Sequence, residues 1–129
     1  MKQIIIVLLF CTISISAFTQ NKRERIKALK VAFITEKLEL SSKEAQQFWP
    51  IYNEFESKRE ELRKQMAQIK DGMDFGNLTE VDAKKAVQEL ISHEEEKTKN
   101  ETDFLKNLMG TIPSKKIIML KVAEEKFKK

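Results

Sequence analysis

Histidine and cysteine each occur once in the 129 residues, proline twice and glycine three times. Each scarcity removes a class of chemistry. With His93 alone, no second imidazole exists for a catalytic triad or for the multi-histidine set of a sensing metal centre. The lone Cys11 allows no disulfide framework and no thiolate metal site in the rest of the chain. No glycine-rich stretch is present to cradle a phosphate, and no nucleophile motif accompanies the histidine. The expectation is a protein that is not an enzyme and takes no cofactor. Few glycines and prolines also mean few places where a helix must stop.

What is abundant points the same way. Lys, Glu, Leu and Ala dominate, as in elongated helical proteins. Charged residues make up 34% of the chain with a net charge of +4, too small and too interspersed an excess to argue for nucleic acid. The first residues read as an address. Met1-Lys2 is a short positive start, Ile4 to Phe10 is an unbroken apolar run, and Ser14, Ser16 and Ala17 supply small residues near a cleavage point. Residues 1–19 are expected to be a cleavable signal peptide, which carries Cys11 away and directs the chain to a periplasm. The apolar run is shorter than the roughly 20 residues that a membrane span needs. Residues 20–129 then form one helical domain.

Four helices are expected. The first runs from about Lys22 to Glu39 with Ile26, Leu29 and Phe33 on one face, Ile34 and Leu38 beside them, and a basic beginning at Lys22, Arg23, Arg25, Lys27 and Lys30. The second is announced by the capping box Ser41-Ser42-Lys43-Glu44 and continues to about Lys70, with a kink at Pro50. From Ala45 onward Phe48, Tyr52, Phe55, Leu62, Met66 and Ile69 recur at alternating three and four, with Arg59 the one break. That is the seam of a helix packed on another helix. Thr79 caps the third helix, which ends near Met109. Its ends are apolar (Ala83, Val87 and Leu90, then Phe104, Leu105 and Leu108), while Ser92 to Asp103 has no large apolar residue and should be wet on most sides. Ser114 caps the last helix. The fold class is all-α: an elongated hairpin or cradle with long second and third helices. Such thin layers call for a partner to cover their apolar stripes, as in a dimer.

Leu40-Ser41-Ser42-Lys43-Glu44, followed by Ala45-Gln46-Gln47-Phe48-Trp49-Pro50-Ile51-Tyr52, resembles a degenerate LTxxQ motif, with Ser for Thr and Glu for Gln. That motif marks the Spy and CpxP group of periplasmic stress proteins and their metal-sensing relatives of the CnrX and ZraP types. A second copy, more degenerate, stands before the last helix as Ile112-Pro113-Ser114-Lys115-Lys116. The Phe48-Trp49-Pro50-Ile51-Tyr52 stretch is similar to Bacteroidetes sensors of ECF-type sigma factors. The resemblance implies a cradle-like antiparallel homodimer. Spy-like members bind unfolded envelope proteins without ATP, CpxP-like members bind the sensor domain of a histidine kinase, and CnrX-like members read metal and control an anti-sigma factor.

Candidate sites follow from both lines. Trp49, Met73 and Phe75, with Arg59, Arg63 and Lys64 as charges, are the candidates for gripping a partner. Phe48 and Trp49 are adjacent and cannot both enter one seam: either Trp49 covers the joint with the first helix, or it anchors a partner. For metal, only Glu89 and His93 lie one turn apart on the third helix; the other reading of His93 is a solvated side chain among carboxylates.

Overall fold

The computed structural model describes the backbone of residues 2–127 and the side chains of residues 20–127. It is all-α, with four helices: α1 (Lys2–Leu38), α2 (Ser42–Asp71), α3 (Glu80–Met109) and α4 (Ser114–Phe127). Among the described residues there is no strand, and no helix is long and apolar enough to cross a membrane. The signal-peptide reading concerns residues 1–19, which lie outside the residues whose side chains are described.

The helix boundaries trace to local chemistry. Ser41 has extended backbone, with φ −66° and ψ 162°. Its hydroxyl accepts from the Glu44 N–H at 3.2 Å, and Glu44 Oε2 accepts from the Ser41 N–H at 2.9 Å. Both arms of the expected capping box are therefore made, an arrangement worth about 1 kcal/mol. Thr79 caps α3 through its side chain alone, its hydroxyl accepting from the Asp82 N–H at 3.2 Å. At α4 the expectation shifts by one residue. The Pro113 carbonyl accepts the first helical bond, from the Ile117 N–H, so Pro113 holds the cap and Ser114 is the first helical residue. Helix α2 runs through Pro50 without a break. Gln46, whose carbonyl loses its usual donor there, is exposed and reaches water instead. Helix α1 is longer than expected: no glycine or proline stands between Lys2 and Leu38 to end it, so it begins at Lys2 rather than near Lys22.

The chain divides into two compact units, residues 40–118 and residues 1–39 with 119–129. In the first, α2 and α3 pack antiparallel, so that residue numbers rise on one helix as they fall on the other. Phe48, Tyr52, Phe55 and Leu62 of α2 and Phe104 and Leu108 of α3 are buried, as are Ile112 and Ile117. The Phe55 and Phe104 rings stack at 4.0 Å and 7°. Tyr52 stacks on Phe48 at 5.4 Å and meets Phe104 edge-on. Met66 and Ile69, farther along the expected seam, are only half-buried.

In the second unit the buried residues of α1 are Ile34 and Leu38, and those of α4 are Leu120, Ala123 and Glu124. Phe33 and Phe127 meet at 5.7 Å. The expected α1 face is corrected here: Ile26 and Leu29 are 47% and 64% exposed, and burial follows Ile34 and Leu38. The i,i+4 pair Ile34–Leu38 lies about a third of a turn from the Ile26–Leu29 stripe.

Helix α1 ends at Glu39, the one non-glycine residue with positive φ among those described, at 49°. A side chain is disfavoured in this left-handed region, where glycine usually closes a helix. Glu39→Gly is expected to raise stability by about 0.5–1 kcal/mol, read as a higher denaturant midpoint at unchanged slope.

Candidate functional site

The middle of α3, Ser92 to Asp103, is where the sequence gives no apolar seam. The structure nonetheless gives it a packed face, made by two polar side chains. His93 Nε2 lies 2.8 Å from the Leu62 carbonyl of α2. A carbonyl can only accept, so Nε2 carries the proton. Asn100 Nδ2 donates to the Phe55 carbonyl at 3.3 Å. Leu62 precedes His93 by 31 residues and Phe55 precedes Asn100 by 45. The two bonds are therefore one interaction repeated a heptad apart on both helices. The expectation of a stretch wet on most sides is corrected to this extent: His93 and Asn100 are half-buried, while the residues around them face water.

This placement bears on metal. His93 has a side chain only 10% exposed, with one nitrogen already used on α2. Its Nδ1 is buried without a hydrogen-bond partner, 3.7 Å from the Glu94 carboxylate. Glu89 is exposed on the surface. Among the described residues no three His, Cys, Asp or Glu side chains converge. The solvated reading of His93 is corrected as well, since the ring lies in the helix–helix seam.

The two stretches that carry the LTxxQ resemblance are brought together. Glu44 Oε2, while closing the α2 cap, also accepts from Lys116 Nζ at 2.7 Å. These are the fifth residues of the two copies. Of the neighbouring motif positions, Phe48 and Ile112 are buried, Leu40 is half-buried, and Pro50 and Pro113 are exposed. Lys116 first, then the Ser41 N–H, hold the Glu44 carboxyl below its ordinary value. One carboxylate thus ties the start of α2 to the start of α4.

The candidates for gripping a partner do not form one surface. Phe48 enters the core while Trp49, half-buried, sets its ring edge-on to Phe48 and Tyr52 at 4.9 and 5.3 Å. Phe75 is 74% exposed in the loop after α2, beside the half-buried Met73. Trp49 and that loop lie at opposite ends of α2, about 30 Å apart along its axis. The cations are compensated. Arg63 pairs with Glu60 at 2.7 Å, Lys64 approaches the same carboxylate at 3.9 Å, and Arg59 pairs with Glu56 at 3.0 Å. The Glu60 hydrogen bond raises the Arg63 pKa further. Arg59 also lies 5.6 Å from the Phe55 ring centre, which places it on the rim of the seam. The apolar start of α3 is exposed too, at Val87, Leu90 and Ile91.

The chain matches no protein-family model, no curated protein and no solved structure. Its own geometry is what distinguishes its residues. Asn100 and Lys116 were not singled out for a role by sequence reasoning. Opposite charges at the fifth positions of the two motif copies, Glu44 and Lys116, were a usable signal. Asn100 lay at a seam position whose polarity hid it.

Two outcomes are expected. His93→Leu removes a buried, unpartnered nitrogen and leaves the Leu62 carbonyl its own helical donor, so stability should stay within about 1 kcal/mol of wild type. Zinc should leave the melting temperature of both forms unchanged. Glu44 has a folded pKa below its ordinary 4.5. Its contribution is therefore present above that pH and is lost as the pH falls through the folded value. Glu44→Gln keeps a capping acceptor but not the charge. Its melting temperature should fall less than that of wild type on acidification below about pH 4.5. Asp74 and Asp103, also held low by Asn77 and Lys99, keep their share of the acid sensitivity.

Proposed function

We propose that the chain is a non-catalytic periplasmic binding protein of the Spy/CpxP kind, whose helical surfaces engage unfolded envelope proteins or a membrane signalling protein. The observation that carries the reading is the Glu44–Lys116 contact, which unites the two stretches resembling the motif of that group. The exposed Val87, Leu90 and Ile91 row on α3 supports a homodimer or a client on that face, because an apolar helix stripe left in water calls for a cover.

A second reading has its own support. A chaperone for many unfolded chains works through accessible apolar surface rimmed by positive charge. Here Arg59, Arg63 and Lys64 each face a glutamate, and Trp49 and Phe75 stand apart. That arrangement favours one specific partner, a histidine kinase or an anti-sigma factor of an ECF-type system, over general capture.

Aggregation of a chemically denatured model protein separates the two. With several-fold excess of the chain and no nucleotide, the client-binding reading expects strong suppression that weakens with salt, since exposed charges are screened within about 10 Å at 0.1 M. Absence of suppression removes that reading and leaves the signalling partner. Light scattering tests the homodimer: a stable monomer at high concentration refutes it.

A further inference from the structure

The basic stretch of α1 from Lys22 to Lys30 is used by neither the motif junction nor the α2–α3 seam. Between Lys22 and Lys30 the chain holds five cations, Lys22, Arg23, Arg25, Lys27 and Lys30, against one acid, Glu24. The rest of the chain carries as many acidic as basic residues, so this one helical segment accounts for the whole net charge of +4. Among the described residues, Lys22, Arg23, Arg25 and Lys27 form no ion pair, and all four are exposed.

The charges surround an apolar stripe. Ile26, Leu29 and Phe33 follow at spacings of three and four and so share one side of the helix. Ile26 and Leu29 are 47% and 64% exposed. Around the helix axis, Arg25 lies to one side of the stripe, Arg23 and Lys27 lie to the other, and Lys22 stands at its head. The buried residues Ile34 and Leu38 occupy a different face, so Ile26 and Leu29 are free of the unit's own core, and only the last stripe residue, the half-buried Phe33, is engaged, against Phe127.

We infer that residues 22–33 of α1 form a docking face for an anionic lipid surface. A helix lying in a membrane interface needs this layout: apolar side chains that sink into the acyl boundary, with long cationic side chains on both flanks that reach up to headgroup phosphates. Cationic side chains near an anionic leaflet add attraction to the apolar burial. A second copy of the same face is the wrong occupant, because two such faces would set like charges against each other. Nucleic acid would use the cations but leave the Ile26–Leu29 stripe in water. The inference is independent of the partner proposed above.

The test is sedimentation of the full chain with vesicles of phosphatidylcholine alone, or with one third phosphatidylglycerol. The readout is the preference for the anionic vesicles, because an apolar leader inserts without regard to headgroup charge. The expected result is a partition coefficient higher by roughly tenfold or more on the anionic vesicles, collapsing at about 0.5 M salt. The variant Arg23→Glu/Arg25→Glu is expected to lose that preference. Leu29→Ser should weaken anionic binding several-fold and retain the preference. All three side chains are exposed, and matching helical circular dichroism shows that the variants fold. Equal binding to both vesicles overturns the proposal, as does an unchanged preference in the charge-reversed variant. Self-association that Leu29→Ser abolishes, without lipid preference, also overturns it and assigns the face to a second copy.

Discussion

Phe55 lies flat on Phe104 at 4.0 Å, and the packing of α2 on α3 is organised outward from that contact. A pair of helices has no second layer to hide behind, so its stability depends on the few side chains that meet across the seam. On one side of the stack Tyr52, Phe48 and Leu108 continue a fully buried cluster. On the other side Leu62 is the last buried residue of α2, and the seam thins to the half-exposed Met66 and Ile69, with Ala83 and Ala86 opposite in α3. The pair is thus anchored at one end and loosens toward the loop between α2 and α3, where local opening requires the least free energy.

The anchored end is also where the motif stretches lie. Ile112 and Ile117 are buried there, and Glu44 closes the α2 cap and holds Lys116 at once. An exposed ion pair contributes little, but Glu44 and Lys116 are about four-fifths covered and share an oxygen with a cap. The same end carries Trp49, against the aromatic cluster, while Phe75 and Met73 occupy the loose end. The two ends of one helix thus offer different surfaces: a rigid aromatic one and a yielding apolar one.

Much of this was legible because it is written locally. Ser41-x-x-Glu44 and Thr79 are capping signals whose partners lie three residues away, so α2 and α3 begin where the sequence says. The alternation from Ala45 to Ile69 located the α2 seam. What was hidden depends on residues far apart. The buried face of α1 could not be read from its apolar residues, since Ile26, Leu29 and Phe33 make as good a stripe as Ile34 and Leu38. The polarity of Ser92 to Asp103 concealed a seam, because periodicity counts apolar side chains and His93 and Asn100 pack by hydrogen bonding instead. The cations Arg59, Arg63 and Lys64 looked like a positive rim until their glutamate neighbours within one turn were considered. Trp49 and Phe75, both large aromatic candidates for a partner, are separated by the length of the helix.

The carbonyls that receive His93 and Asn100 belong to the main chain, which any residue at 62 or 55 would supply. Leucine knobs tolerate sliding by filling whichever hole they find, whereas a donor aimed at a particular carbonyl does not. Displacement of α3 along α2 by a single residue's rise, about 1.5 Å, would stretch both bonds together, since they sit at matching intervals on the two helices. The pair behaves as two teeth engaged in a rack. Side chains along α2 can therefore change while the axial alignment of the two helices, and with it the meeting of Glu44 and Lys116, stays indexed by the backbone.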